Sequence, residues 1–272
     1  MPYIKKYKND IFVIEYGGSA QLNPDLKDKF ARDIILLYLV GIKPVIVHGG
    51  AKKINETLDK LNIKSEFIDG LRVTNKEIME VVEMVLSGNI NKEIINLLNM
   101  HGGKAIGISG KDAKFIMAKG KDNGKYGLVG EITNIDSSVV KNLLNDNFIP
   151  VISPIAMGDT INHPGFNINS DLAASKIASS LNAKKIIFLT DTQGVFDKKN
   201  NLISTLNKDD IYIIKENNTI NGGMIPKVDA CLEAIEGGVE KAHIVDGRSE
   251  HSLLLEIFTN EGTGTVIKNE RI

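Results

Sequence analysis

The sequence predicts an α/β protein built on a mostly parallel sheet. Three observations carry that expectation. Short β-branched apolar runs alternate with amphipathic stretches of helical period. Uncharged runs such as IIFLT read as strands covered on both faces, as in parallel sheets. Two runs end in adjacent glycines that lead into helical stretches.

The elements follow in order. IFVIEY (11–16) is the first strand. Phe30, Ile34, Leu37 and Val40 then recur at three- and four-residue spacings, predicting a helix over roughly 24–40, with Gly41 suited to its C-terminal cap. VIVH (45–48) is a strand and KKINETLDKLN a helix. TNKE (74–77) has capping-box spacing, with Thr74 as N-cap and Glu77 reaching back, ahead of Ile78, Val81, Val82 and Val85 on one face. Another helix covers roughly 91–100 and ends at Gly102 and Gly103, before the strand AIGIS (105–109). FIMAKG and GLVGEITNI (127–135) form antiparallel β structure around a Gly-rich turn. VVKNLLNDN is helical and FIPVISPIA a strand. SDLAASKIASSLN (170–182) is a helix, KIIFLTD (185–191) a strand and MIPKVDACLEAIEGG (224–238) a helix. KAHIVDG is a strand, HSLLLEIF a helix and TGTVI the last strand.

Composition bounds the function. The 272 residues are 42% hydrophobic and 25% charged, an ordinary globular balance that allows one large domain or two lobes sharing a sheet. A net charge of -1, no Trp and few other aromatics give no footprint for nucleic acid. Cys231 is the only cysteine, so no internal disulfide or multi-cysteine metal cluster can form, and a reducing compartment is expected. The start, MPYIKKYKND, lacks the apolar region of a secretory signal. No apolar run approaches the ~20 residues that span a bilayer. A cytoplasmic protein without nucleic-acid or membrane partners is therefore expected. No repeat or linker appears, and composition shifts little near Asp146–Pro154, so periodicity alone proves no division there.

The paired glycines are the first chemical signal. IFVIEY runs into Gly17-Gly18-Ser19, and VIVH into Gly49-Gly50-Ala51. A strand–glycine turn–helix presents backbone N–H groups to a phosphate or carboxylate, and the absent side chains let the anion approach. The same glycines also serve any tight turn. Neither fits G-x-x-x-x-G-K-[ST] or G-x-G-x-x-G, which argues against a P-loop and a Rossmann dinucleotide site.

These turns join further segments: DGLRVT (69–74), GISGKDAKFIMAKG (107–120), FNINSDLAAS (166–175), IIFLTDTQGV (186–195), NGGMIPKVDACLEA (221–234) and HIVDGRSEHSLLLEIFTNEGTGTVI (243–267). In this order, over nearly the whole chain, they resemble the acetylglutamate kinases of the amino-acid kinase family. The resemblance implies a three-layer αβα sandwich around an eight-stranded, mainly parallel sheet. It implies a transferase that uses ATP, with Mg²⁺ bound through the nucleotide, to phosphorylate the γ-carboxylate of N-acetyl-L-glutamate in arginine biosynthesis. It also implies an N-terminal substrate-binding and dimerisation lobe, approximately 1–155, and a C-terminal ATP-binding lobe, approximately 156–272, within one domain. The nearness of PYIKKY to the first strand gives a homodimer without strong arginine inhibition as the expected assembly.

Roles carry over by position. Gly50 and Ala51 would give backbone donors to the substrate, and Gly17 and Gly18 would lie at the nucleotide. Arg72 would clamp the substrate α-carboxylate, a task suited to a bidentate guanidinium. Asn167 would bind the acetylated amino acid, although an Asn here also suits a turn or cap. Asp171 would orient the catalytic lysine side chains, or act simply as a first-turn acid on the helix dipole. Lys227 would contact the phosphates, and Asp191 would sit near the nucleotide at a strand end. No residues are expected to hold a metal on their own, and His48 and His163 read as turn or core residues.

Two positions depart from the family. Glu15 stands where the family has a lysine, in VIEYGGSAQ rather than a pattern like IKYGGSAM. A carboxylate there repels phosphates, and losing one such donor costs roughly 10²–10³ in rate. Ala51 and Lys52 replace a usual third glycine and proline, and alanine adds strain if its φ is positive. Three readings follow: a variant of impaired activity, a paralogue that binds ligand without turnover, or compensation in which Lys52 or Lys53 supplies the lost cation or neutralises Glu15. A related kinase for another acyl amino acid is the remaining alternative.

Overall fold

The computed structural model of the protein describes residues 2–21, 23–259 and 262–269. The chain opens with α1 (Pro2–Tyr7) and β1 (Ile11–Tyr16), then alternates α2 (Pro24–Leu39), β2 (Lys43–His48) and α3 (Ala51–Lys60). A hairpin of β3 (Phe67–Ile68) and β4 (Leu71–Arg72) leads into α4 (Lys76–Glu83), a π-helical stretch (Met84–Ile90) and α5 (Asn91–Met100). Next come β5 (Ala105–Ser109), the antiparallel pair β6 (Ile116–Gly120) and β7 (Gly130–Ile135), α6 (Ser137–Asn145) and β8 (Ile149–Ser153). β9 (Ile155–Ala156) and β10 (Phe166–Asn167) form a small ribbon. The second half carries α7 (Ser170–Leu181), β11 (Lys185–Thr190), β12 (Thr205–Leu206), α8 (Lys208–Glu216), α9 (Met224–Glu236), β13 (Lys241–Asp246), α10 (Ser252–Phe258) and β14 (Thr265–Ile267).

Eight strands form one sheet in the order β12-β14-β13-β11-β1-β2-β8-β5, with β13 and β14 the antiparallel pair. Helices cover both faces, so the expected three-layer αβα sandwich is observed. The alternation of β1 assigns the faces. Phe12, Ile14 and Tyr16 pack with Ile46, Ile187 and Leu189 in the apolar layer that holds residues of α2, α4 and α5. Val13 packs with Val45, Val47, Ile186 and Phe188 in the layer that holds α7 and α9. Glu15, two residues beyond Val13, therefore points toward α7 and α9, where it is buried.

Several local expectations need correcting. Asn75, not Thr74, caps α4: its side-chain oxygen accepts from Ile78 N at 2.8 Å. Thr74 is instead fully buried, its hydroxyl donating to Arg72 O at 2.8 Å. The helix at 91–100 is not separate, because helical dihedrals continue from α4 through the π-helical stretch. Gly41 does follow the cap of α2, with a φ of 88°. Unanticipated elements include α1, the two-residue β12, and α8, which begins in a capping box between Asn207 and Asp210. Asn260 and Glu261, in the last matching segment, lie outside the described residues.

α7 begins at a conventional cap, with Asn169 accepting from Leu172 N at 3.0 Å. That cap fixes the turn carrying Ser170 and Asp171. Asn169→Ala should cost about 1 kcal/mol, read as a fall of roughly 2–4 °C in thermal midpoint. An unchanged midpoint would remove the cap from the account.

Candidate active site

β1 is the point where strand order reverses: β2, β8 and β5 lie to one side, β11 and β13 to the other. Open α/β sheets bind ligands outside the carboxyl ends of the strands at such a point. Both glycine turns lie there. Gly49 N donates to Tyr16 O at 3.0 Å. The Gln21 side chain donates to Tyr16 O at 2.5 Å and to Gly49 O at 3.3 Å. These bonds join the two turns into one unit.

Each turn requires glycine for its own reason. Gly18 has a φ of 69°, and a Cβ on it would fall 2.5 Å from Asp191 Oδ1. Gly50 has an extended φ of 176°, so its constraint is space. A Cβ there would meet Ile90 Cδ1 at 2.5 Å and Leu86 Cδ2 at 2.6 Å, both from the π-helical stretch. π-Helical turns recur at functional sites. Ala51 opens α3 without a positive φ, so the strain considered for an alanine there does not arise.

Under the turns sits a cluster of ionisable groups. Lys227 Nζ, from α9, donates to Asp171 Oδ1, near the start of α7, at 2.7 Å. Burial works against the Lys227 ammonium, but Glu15 and Asp171 outweigh it and hold its pKa above the ordinary value. Glu15 is 1% exposed. Burial raises its carboxyl pKa to about 8, while Lys227 opposes the shift, Asp171 adds to it and a hydrogen bond with Ser170 opposes it. Burial thus favours the neutral form of Glu15, against the pull of Lys227.

Two cavities flank the second turn. One, of about 500 Å³, has Glu15, Gly17, Gly18, Gly50 and Lys227 in its lining and extends along Phe30, Ile94 and Leu97. Its volume falls within the range of small-molecule sites. The other, of about 140 Å³, includes Arg72 and Asn167, and shares Gly49, Gly50, Ala51 and Ser170 with the first. Arg72 is 6% exposed. Its guanidinium donates to Ser65 Oγ at 2.8 Å, Asn55 Oδ1 at 2.6 Å and Ala51 O at 3.4 Å, and lies 4.6 Å from the Phe67 ring. Those acceptors are neutral, and among the described residues Arg72 has no ion-pair partner. The Asn167 amide donates to Thr74 Oγ1 at 3.4 Å.

The geometry thus gathers Glu15, Gly17, Gly18, Gly50, Ala51, Asp171 and Lys227 at one end of the sheet, with Arg72 and Asn167 in the adjoining cavity. Asp191 stands beside Gly18. The lysines considered as compensating Glu15 line the same cavity, with Lys52 3.7 Å from Asp191 and Lys53 3.7 Å from Glu56. Lys227 is the cation that faces Glu15. His48 is fully buried; its Nδ1 lies 3.1 Å from Gly49 O and its Nε2 3.2 Å from the Asn91 amide. Burial lowers its pKa to about 4, so it braces the turn as a neutral ring. His163 packs on Phe166, with ring centroids 4.3 Å apart. Among the described residues, no group of three or more His, Cys, Asp or Glu converges as a metal site. Sequence reasoning missed Gln21 and Ser170. The available signal was position: Gln21 lies three residues past Gly18, and Ser170 directly follows the Asn169 cap.

Glu15 gives the protein a specific pH dependence. Its pKa is raised, so between pH 4.5 and about 8 the folded chain holds a proton that the unfolded chain has released. Stability therefore falls as pH rises through that window. Glu15→Gln should raise the thermal midpoint by several degrees near pH 8 and change it little near pH 4.5. Equal effects at both ends would contradict a neutral buried acid.

Comparison with known proteins now bears on this site. The profile of the amino acid kinase family matches residues 10–246. A protein of Nitratiruptor sp. named acetylglutamate kinase is 65% identical, over 98% of this chain and 94% of its own. One of Helicobacter hepaticus with the same name is 56% identical, over 99% and 96%. Carbamate kinase from Giardia lamblia bound to AMP-PNP shares the fold at a TM-score of 0.72 and 16% identity, over 96% of this chain and 99% of its own. N-acetylglutamate synthase from Neisseria gonorrhoeae does so at a TM-score of 0.88 and 24% identity; this chain covers 62% of that one. With its turns, its sheet order and its sequence all in agreement, the chain belongs to the amino acid kinase family.

Proposed function

We propose that the protein transfers the γ-phosphoryl group of ATP to the γ-carboxylate of N-acetyl-L-glutamate, a step of arginine biosynthesis. One observation carries the reading: two cavities meet at the Gly49-Gly50-Ala51 turn, one bearing Lys227 and the other Arg72. A dicarboxylate acceptor and a polyphosphate donor need such a meeting point. The relatives at 56–65% identity bear the corresponding name.

The chemistry follows from charge. The acceptor carboxylate is already ionised at pH 7, so attack on phosphorus needs no strong general base. The work is to align two anions and absorb charge on the phosphoryl oxygens. Arg72 would hold the α-carboxylate, supported by its burial among neutral acceptors, and Asn167 would hold the acetylated end. Gly17, Gly18 and Gly50 would direct backbone donors at the phosphates. Lys227, fixed by Asp171, would follow the phosphoryl from donor to acceptor oxygen. Bound through the nucleotide, Mg²⁺ would supply further offset of phosphate charge.

The finer parts of the proposal rest on the family resemblance. They are a nucleotide-binding lobe beyond about residue 155, a substrate and dimerisation lobe before it, a homodimer, and a cytoplasmic setting. Among the described residues no helix is long and apolar enough to cross a membrane.

A coupled ADP-release assay tests the activity. Release should require both ATP and N-acetyl-L-glutamate, and should exceed that with other acyl amino acids. Lys227→Met should lower kcat by roughly 10²–10³. Arg72→Ala should raise KM for the acceptor more than tenfold while leaving KM for ATP nearly unchanged. ADP release indifferent to acetylglutamate would refute the assignment.

A further inference from the structure

We propose that His48, held in a single tautomer by Asn91, is a positioning residue of the transfer site: it fixes the Gly49–Gly50 peptide so that the Gly50 N–H meets the anionic ligand. The inference rests on the phosphoryl-transfer reading above.

The tautomer follows from the hydrogen bonds around the ring. Asn91 is 1% exposed and opens α5, directly after the π-helical stretch. Its side-chain nitrogen donates to Val151 O at 3.0 Å, and a carbonyl can only accept. That contact assigns the amide orientation, and Lys92 Nζ donating to the amide oxygen at 3.3 Å agrees with it. The second amide hydrogen is left for His48 Nε2, 3.2 Å away. Nε2 therefore accepts, with Ser153 Oγ a further 3.4 Å neighbour. Burial lowers the His48 pKa to about 4, so the ring carries one proton at pH 7. With Nε2 accepting, that proton sits on Nδ1. Nδ1–H then donates to Gly49 O at 3.1 Å. Asn91 fits here because residue 107 of β5 is glycine: a Cβ there would fall 1.9 Å from the amide oxygen.

The consequence lies in the peptide. Gly49 O and Gly50 N–H belong to one planar trans unit and point in opposite directions. Gly49 O accepts from His48 Nδ1 and, at 3.3 Å, from the Gln21 side chain, which also serves Tyr16 O. The Gly50 N–H therefore points away from both donors. Gly50 lines both cavities, and among the described residues its N–H donates to no protein group. A peptide between two glycines has no Cβ to stop it turning over. Leu86 and Ile90 restrict the space around Gly50, but the direction of its N–H has to be held by hydrogen bonds. A donor fixed in this way needs no reorganisation as charge develops on the phosphoryl oxygens.

Two near-isosteric variants separate orientation from packing. Asparagine places a side-chain nitrogen where His48 has Nδ1, and glutamine places one near Nε2. His48→Asn keeps the donor to Gly49 O and loses the contact with Asn91; His48→Gln does the reverse. A role in packing alone would make activity follow thermal midpoint in the two variants. The proposal predicts a kcat for His48→Asn at least ~10-fold above that of His48→Gln, whichever melts higher. In ligand-free crystal structures the Gly49–Gly50 peptide should keep its direction in the Asn variant and turn over in the Gln variant. Histidine nitrogen NMR of the wild type should place the proton on Nδ1. The proposal is overturned if the proton is on Nε2, if the peptide keeps its direction in the Gln variant, or if the Gln variant is as fast as the Asn variant. Should the wild type fail to turn over acetylglutamate, the functional reading falls. The NMR and the two crystal structures still decide the role of His48: a proton on Nδ1 with a turned peptide in the Gln variant alone supports it, and any other result refutes it.

Discussion

Everything at this site depends on one buried arrangement: the Lys227–Asp171 ion pair packed against the carboxyl of Glu15. Burial by itself lowers the pKa of an ammonium and raises that of a carboxylate. Asp171 at 2.7 Å keeps Lys227 charged. Removing one partner of a largely buried pair destabilises the fold, because the other is left without compensation. The pair therefore constrains stability as well as chemistry. It requires the starts of α7 and α9 to stay in place against the end of β1.

The fold provides that constraint through ordinary packing. The Ser175 hydroxyl donates to Ala230 O at 2.7 Å and so ties α7 to α9. Ala173, Ala174, Ala178, Ala230 and Ala234 are buried in the same layer, their small side chains suiting close helix approach. On the opposite face, the π-helical stretch packs its Leu86 and Ile90 where any side chain at Gly50 would fall. The second turn is thus held from both layers of the sandwich, with Gln21 linking it to the first. Backbone donors fixed in this way need little reorganisation during reaction, which is the basis of electrostatic preorganisation.

Much of this was legible in the sequence. The strands announced themselves through β-branched runs, and β1, β2, β11 and β13 lie where those runs predict. The glycine turns were visible as pairs directly after two strands, although any tight turn uses the same residue. Short elements were harder. α1 and β12 are too brief to set a period, and α8 carries a polar sequence whose capping box was not singled out. Thr74 had the right spacing for a cap, yet tertiary contacts buried it and the cap passed to Asn75. The meeting of residues 15, 171 and 227 could not be derived from spacing at all, since it depends on which face of β1 meets α7 and α9. In the sequence the charge of Glu15 was read at its aqueous value. Its burial is a property of the assembled fold.

The most direct test of the account is a crystal structure with ADP, aluminium fluoride and N-acetyl-L-glutamate bound. The account predicts the fluoride complex between the Gly17-Gly18 and Gly49-Gly50 turns, in contact with Lys227 Nζ, and the acceptor α-carboxylate on Arg72. A complex bound away from the turns, or an acceptor lying outside the Arg72 cavity, would contradict it.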